Sequence, residues 1–120
     1  MSSDGVGNYP EIRRQLISLA RQKHCRVVAF SRERPVDWRP TQIINPEVGL
    51  PFSDAGAWEF IAQQLEAGQP LTEIVLDKPP GKSGYVMIIH LVDERPSLYV
   101  KLELGGAGKV FGRSFHYSER

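Results

Sequence analysis

The chain has 120 residues, 41% of them hydrophobic and 24% charged, and its formal net charge is +1. These values predict one globular domain and exclude a wholly disordered chain. No apolar run approaches the roughly 18 residues that span a bilayer, and no basic, apolar leader is visible, so we expect neither a membrane segment nor a signal peptide.

Prolines and apolar spacing predict the first elements of the chain. Residues 1–9 are expected to be a flexible lead, and residues 10–120 a single α+β domain. Pro10 suits the first turn of a helix, whose apolar face is marked by Ile12, Leu16, Leu19 and Ala20. A β-branched and apolar run at 27–30 predicts a strand. Four prolines between residues 32 and 52 predict an irregular connection of a length that is often functional.

A second helix is predicted from Ser53 or Asp54 to Gly68. Ser53 and Asp54 can each accept the free amide hydrogens at a helix start. Gly68, followed by Pro70, is typical of a helix end. The residues between them mark one face at helical spacing, with Trp58, Ile61, Ala62 and Leu65.

Four strands are predicted after this helix, over residues 72–76, 85–92, 98–104 and 110–117. Consecutive strands joined by short turns favour an antiparallel meander. We therefore expect an α+β fold in which two N-terminal helices pack on a small antiparallel β-sheet of about four to five strands.

Charge is segregated along the chain. Residues 10–40 carry eight basic and three acidic side chains, whereas residues 41–77 carry six acidic ones and no basic one. Such blocks can form separate basic and acidic faces, or they can be distributed around the fold. The acidic segment either recruits a basic partner or balances the basic first helix.

Several familiar site patterns are excluded. Gly81-Lys82-Ser83 lacks the upstream glycine of a phosphate-binding loop and precedes a strand-like run rather than a helix. The three histidines show no ligand spacing, so the sequence predicts neither a metal site nor a cofactor. Cys25 is the only cysteine, which excludes an internal disulfide and makes a cytoplasmic location the expectation. We interpret it as a small buried apolar group.

The last two predicted strands gather polar side chains on one face. Side chains alternate between the faces of a strand, so Tyr99 and Lys101 point away from a core that contains Val100, Leu102 and Leu104. If Phe111 and Phe115 are also core, Ser114 and His116 join Tyr99 and Lys101, together with Val110 and Gly112.

Arg113 does not fit this alternation, because strict parity places it among the aromatic side chains. Two arrangements remain open. The guanidinium stacks on the aromatic rings, or a bulge after Gly112 turns it outward.

This polar set suits metal-free cleavage of RNA by its own 2′-hydroxyl. His116 has the intrinsic pKa for the proton transfers. Lys101 and Arg113 would stabilise charge on the phosphate, and Tyr99 and Ser114 would position the substrate. The alternative is that a half-exposed sheet face carries such residues only because it contacts water.

RNA contacts are also predicted outside the sheet. Lys82 and Lys78 lie in the loop before the strand predicted over residues 85–92, and Trp38 and Arg39 lie in the proline-rich connection. Trp38 either stacks on a base or anchors this connection to the core.

The final hairpin resembles that of a known family. Its residues are Leu98-Tyr-Val-Lys-Leu-Glu-Leu, a glycine turn and Lys109-Val-Phe-Gly-Arg-Ser-Phe-His-Tyr. This pattern is similar to the end of MqsR-type toxins. These toxins belong with RelE to the small ribonuclease toxins of bacterial toxin–antitoxin modules. By position, Tyr99 matches the family's tyrosine, and His116 stands where the family has a lysine. The resemblance covers about 20 residues, and the connection over 32–52 has no counterpart.

The resemblance implies a RelE/MqsR-like fold, a metal-independent endoribonuclease activity and an antitoxin protein as partner. The alternative function is a non-catalytic nucleic-acid-binding or protein-interaction module that uses the same face. A third is an accessory domain without a small ligand, because no strict catalytic motif is present.

Overall fold

The computed structural model describes residues 6, 7 and 9–118, in which two helices pack on one face of a mostly antiparallel sheet. The helices are α1 (Pro10–Ala20) and α2 (Asp54–Glu66). In chain order the strands are β1 (Val6–Gly7), β2 (Arg26–Val27), β3 (Asp37–Trp38), β4 (Ile44–Asn45), β5 (Leu50–Pro51), β6 (Leu71–Val75), β7 (Ser83–Ile89), β8 (Leu98–Gly105) and β9 (Lys109–Tyr117). Among the described residues, no helix has the length and apolar character needed to cross a bilayer.

Both helices begin and pack as their sequences predict. Pro10 occupies the first turn of α1, and the Ser53 hydroxyl accepts a hydrogen bond from the Gly56 N–H at 2.9 Å at the start of α2. Gly68 lies just beyond the end of α2 with φ of +87°, a conformation that favours glycine. The predicted apolar face of α2 is fully buried, at Trp58, Ile61, Ala62 and Leu65. On the predicted face of α1, two residues are fully buried, Leu16 and Ala20.

The main sheet has the strand order β1-β6-β7-β8-β9-β2, and β3 also pairs with β9. Strands β6 to β9 form the predicted antiparallel meander, whereas β2 and β3 pair with β9 in parallel. The prediction of an α+β fold with an antiparallel sheet is confirmed in this coarse form.

Two details of the predicted fold are wrong. The main sheet has seven strands in the described part of the chain rather than four or five, and the helices do not both precede it, because β1 to β3 come before α2. The additional strands are two residues long, too short for a hydrophobic pattern to reveal. Phe30 is 70% exposed, so the apolar run at 27–30 leaves the sheet after β2. Val6–Gly7 pairs with β6, and the rest of the expected lead before Tyr9 lies outside the described residues.

Opposite charges meet where α1 packs on α2. The guanidinium of Arg21 contacts Glu66 at 2.6 Å and Glu59 at 3.2 Å. Arg13 donates from Nη1 to the carbonyl oxygens of Leu65 and Gln69, each at 3.0 Å, at the C-terminal end of α2. The acidic segment therefore balances the basic first helix at this contact.

A β-bulge interrupts the pairing of β8 with β9. Lys101 lies opposite Ser114 and Leu102 lies opposite Gly112, so Arg113 is the extra residue between them. A bulge belongs to the second of the two arrangements that the sequence left open, but this one does not turn Arg113 out to solvent, because that residue is 3% exposed. The prediction that Val110 shares a face with Ser114 is wrong, because the bulge shifts the alternation and Val110 is fully buried in the core.

Trp38 anchors the proline-rich connection to the core. Its ring lies 4.9 Å from that of Trp58 and 5.4 Å from that of Phe115, measured between centroids. Its indole N–H donates to Asp54 Oδ1 at 3.0 Å. Gly112 makes room for the ring, since a Cβ there would lie 2.6 Å from it. Of the two readings of Trp38, the structure shows the anchor.

Candidate functional site

The face of the sheet opposite the helices carries four of the predicted site residues. His116 lies opposite Tyr99, and Ser114 lies opposite Lys101, in the pairing of β8 with β9. We call the surface formed by Tyr99, Lys101, Ser114 and His116 the polar face. Because the bulge lies between Gly112 and Ser114, it preserves the alternation that the sequence predicts from Ser114 onward.

Tyr99 and His116 form a stacked pair on the polar face. Their ring centroids are 5.4 Å apart, and the planes differ by 21°. Burial raises the pKa of the Tyr99 phenol above its usual range. The phenol therefore keeps its proton at neutral pH and remains a hydrogen-bond donor.

The two ring nitrogens of His116 contact different groups. Nδ1 lies 2.9 Å from the carbonyl oxygen of Tyr117, which can only accept, so Nδ1 carries a proton. Nε2 lies 3.7 Å from Oδ2 of Asp37. Nε2 therefore faces the Asp37 carboxylate, which would form an ion pair with the ring only in its protonated form.

Asp37 is the site residue that the sequence did not reveal. It lies opposite Ser114 in the parallel pairing of β3 with β9, and its carboxylate contacts both His116 and Nε of Arg39. No local pattern identifies a two-residue strand, so only its long-range pairing with β9 brings Asp37 to the polar face.

A cavity of about 490 Å³ opens at one end of the polar face. We call it the Lys101 cavity. Strands β8 and β9 contribute Lys101, Arg113 and Ser114 to its lining. The segment that leads into β3 contributes Pro35, Val36 and Asp37. The end of β6 and the loop after it contribute Ile74, Val75, Leu76, Asp77 and Lys78.

Lys101 is a half-buried cation that no carboxylate contacts directly in the described part of the chain. Within the described residues its ammonium makes no hydrogen bond or ion pair. Burial lowers its pKa, the positive charge of Arg113 adds to this effect, and Asp77 opposes it. The ammonium is thus available to an anion that enters the cavity.

Arg113 is held by protein acceptors. Its side chain is 3% exposed, and Nη1 contacts the buried Glu103 at 2.8 Å. Nε donates to the carbonyl oxygen of Pro35 at 3.1 Å, and Nη2 donates to that of Lys78 at 2.7 Å. These hydrogen bonds fix the two loops that border the Lys101 cavity, which Arg113 also lines. The predicted contact between Arg113 and a phosphate stays a prediction.

Glu103 completes this buried cluster. Its side chain is 1% exposed and accepts two hydrogen bonds of 3.0 Å from Arg34 in addition to the one from Arg113. The Arg34 guanidinium also lies over the Phe111 ring, 4.1 Å from its centroid. One carboxylate thus joins the connection before β3 to the bulge in β9.

The four residues predicted to contact RNA differ in their exposure and in their position in the fold. Lys78 lines the Lys101 cavity, and Lys82 is exposed on the same loop. Arg39 is exposed and paired with Asp37, whereas Trp38 is packed against the core. Within the described residues, no group of three or more His, Cys, Asp or Glu side chains is placed to hold a metal ion.

Comparison with known proteins leaves the family open. No family model, curated protein or solved structure matches this chain. The resemblance of the final hairpin to MqsR-type toxins stays a prediction that rests on residues 98–117.

Proposed function

We propose that the chain is a metal-independent endoribonuclease that cleaves RNA by attack of a 2′-hydroxyl on the adjacent phosphorus. The observation that carries this proposal is the position of His116, with Nε2 beside Asp37. Its pair with Tyr99 lies on the same face as the unpaired ammonium of Lys101, two register positions along β8 and β9. A proton acceptor next to a free cation is what this transesterification needs.

The proposed step transfers two protons. Nε2 of His116 takes the proton of the 2′-hydroxyl as the bond from the 2′-oxygen to phosphorus forms. The bond from phosphorus to the 5′-oxygen breaks, and Lys101 gives that oxygen a proton. The lowered pKa of Lys101 makes its ammonium a stronger acid than an ordinary lysine. The products are a 2′,3′-cyclic phosphate and a 5′-hydroxyl, and exchange with water restores both groups.

The remaining residues position the RNA and the imidazole. Asp37 places a carboxylate 3.7 Å from Nε2, where it can pair with the imidazolium that forms when the base takes its proton. Ser114 donates its hydroxyl hydrogen to a phosphate oxygen, and the Tyr99 ring provides a surface on which a base can stack. Arg39, Lys78 and Lys82 add positive charge around the polar face. The proposal includes an antitoxin protein that neutralises the enzyme, as the hairpin resemblance implies.

A non-catalytic RNA-binding module is the second candidate function. The stacked rings of Tyr99 and His116 and the nearby cations would also hold a single strand without cleaving it. The two functions differ in whether His116 is needed for a chemical step.

The test is incubation of the full chain with end-labelled single-stranded RNA in EDTA. His116→Ala is compared with His90→Ala, a matched control because His90 is exposed and pairs with Asp93 outside the polar face. Wild type and His90→Ala are expected to give fragments that end in 2′,3′-cyclic phosphate, and His116→Ala none. Intact RNA with all three proteins, together with a gel shift, would instead support the binding module.

A further inference from the structure

The Lys101 cavity has the size and the walls of a small-molecule site. Its volume of about 490 Å³ lies within the range of roughly 300–1,000 Å³ that such sites occupy. Two sets of apolar side chains line it, one preceding β3 and one at the end of β6: Pro35, Val36, Ile74, Val75 and Leu76. Apolar walls of this kind suit a flat heteroaromatic ring.

Two donors lie side by side in this cavity. Lys101 and Ser114 are directly opposite each other on β8 and β9. Among the described residues, neither the ammonium nor the hydroxyl has a hydrogen-bond partner. A half-buried cation beside a hydroxyl group suits an oxygen anion such as a phosphate, which would contact the ammonium directly as no protein carboxylate does.

Asp77 contributes a hydrogen-bond acceptor to the same cavity. It is exposed, and its carboxylate makes no hydrogen bond or ion pair within the described part of the chain. An ionised carboxylate only accepts hydrogen bonds. It therefore favours a base with an exocyclic amino group, and it repels the carbonyl oxygen that uracil has where cytosine has its amino group.

We propose that the Lys101 cavity binds one nucleoside monophosphate unit, with the phosphate on Lys101 and Ser114 and with an amino-bearing base facing Asp77. The inference rests on the proposed function for RNA as the source of this unit. It adds that the nucleotide beside the cleaved bond is selected for its amino group, with cytidine preferred to uridine.

Calorimetric titration of the full chain tests the inference without cleavage. The ligands are cytidine 3′-monophosphate, uridine 3′-monophosphate and inorganic phosphate. We expect the cytidine nucleotide to bind at least tenfold more tightly than the uridine nucleotide, and phosphate alone to bind more weakly than either. Lys101→Met should weaken all three at least tenfold, and Asp77→Asn should bring the two nucleotides to within about twofold of each other.

Matched controls are Lys23→Met and Asp93→Asn, which change exposed residues that do not line the cavity and should leave all three affinities unchanged. Equal affinities for the two nucleotides in wild type would overturn the inference, as would nucleotide affinities that neither cavity variant changes. Ser114→Ala gives a second test of the phosphate contact if Lys101→Met does not fold.

The two proposals fail in different ways. Selective nucleotide binding by a chain that leaves RNA intact would keep the cavity site and reject the nuclease. Cleavage of RNA by a chain that binds neither nucleotide at millimolar concentration would keep the nuclease and overturn the cavity site.

Discussion

Nε2 of His116 lies 3.7 Å from Oδ2 of Asp37, across the parallel pairing of β3 with β9. The other ring nitrogen lies 2.9 Å from the carbonyl oxygen of Tyr117. The Tyr117 contact orients the imidazole, and the Asp37 carboxylate belongs to a segment that the Trp38 ring anchors to the core. The placement of a negative charge beside the proposed base thus depends on a two-residue strand.

Asp37→Asn tests this positioning. The amide cannot stabilise the imidazolium as a carboxylate does, so we expect the cleavage rate to fall roughly 10- to 100-fold, less than the loss on removing the acid–base group itself. RNA affinity measured by gel shift should change little. Asp93→Asn is the control, and a rate equal to wild type in Asp37→Asn would remove Asp37 from the mechanism.

The pH dependence of cleavage is expected to report Lys101. Because its pKa is lowered, Lys101 loses its proton at a lower pH than an ordinary lysine, and the rate should fall as pH rises through that lowered pKa. Lys101→Arg should cleave more slowly at every pH and lose this alkaline fall, since a guanidinium stays protonated and is a poor proton donor. Rates are measured against an enzyme-free sample at each pH. Identical alkaline limits in the two proteins would contradict the assignment.

Lys101 is also expected to reduce stability. The folded chain binds its proton less tightly than the unfolded chain, so this group adds stability only as pH rises through its lowered pKa. At neutral pH, Lys101→Met should therefore keep or raise the thermal midpoint while cleavage is lost. Differential scanning calorimetry measures the midpoint, and a midpoint several degrees below wild type would contradict an uncompensated charge.

Glu103→Gln tests the buried ion cluster. Removing the negative charge leaves Arg113 buried without a counter-ion, and such a loss costs about 3–5 kcal/mol. Urea unfolding measures this cost. The control is Glu94→Gln on the exposed turn after β7, for which a surface change predicts a free energy of unfolding within about 0.5 kcal/mol of wild type.

Gly112→Ala should loosen the contact between β9 and Trp38. The added methyl group would lie 2.6 Å from the Trp38 ring, and forcing the ring aside is expected to cost about 1–3 kcal/mol. Chemical unfolding followed by tryptophan fluorescence measures the change. Gly106→Ala is the matched control, because a Cβ there has open space around it.

The periodic elements could be predicted from the sequence, and the residues that complete the site could not. The buried face of α2 follows from apolar residues at helical spacing, and the grouping of Tyr99 with His116 follows from the alternation of side chains along a strand. The Arg113 side chain at the bulge is held instead by acceptors 10, 35 and 78 residues away, on Glu103, Lys78 and Pro35. Asp37 reaches His116 only through the pairing of β3 with β9, which two residues cannot encode as a pattern.

Attack by the RNA's own 2′-hydroxyl is tested by giving wild type and His116→Ala two oligonucleotides of one sequence in EDTA. One is RNA, and the other carries 2′-O-methyl groups throughout. We expect wild type to cleave only the RNA, leaving 2′,3′-cyclic phosphate ends identified by mass spectrometry, and His116→Ala to cleave neither. Cleavage of the methylated strand, or cleavage of the RNA by His116→Ala at the wild-type rate, would contradict 2′-hydroxyl attack at His116.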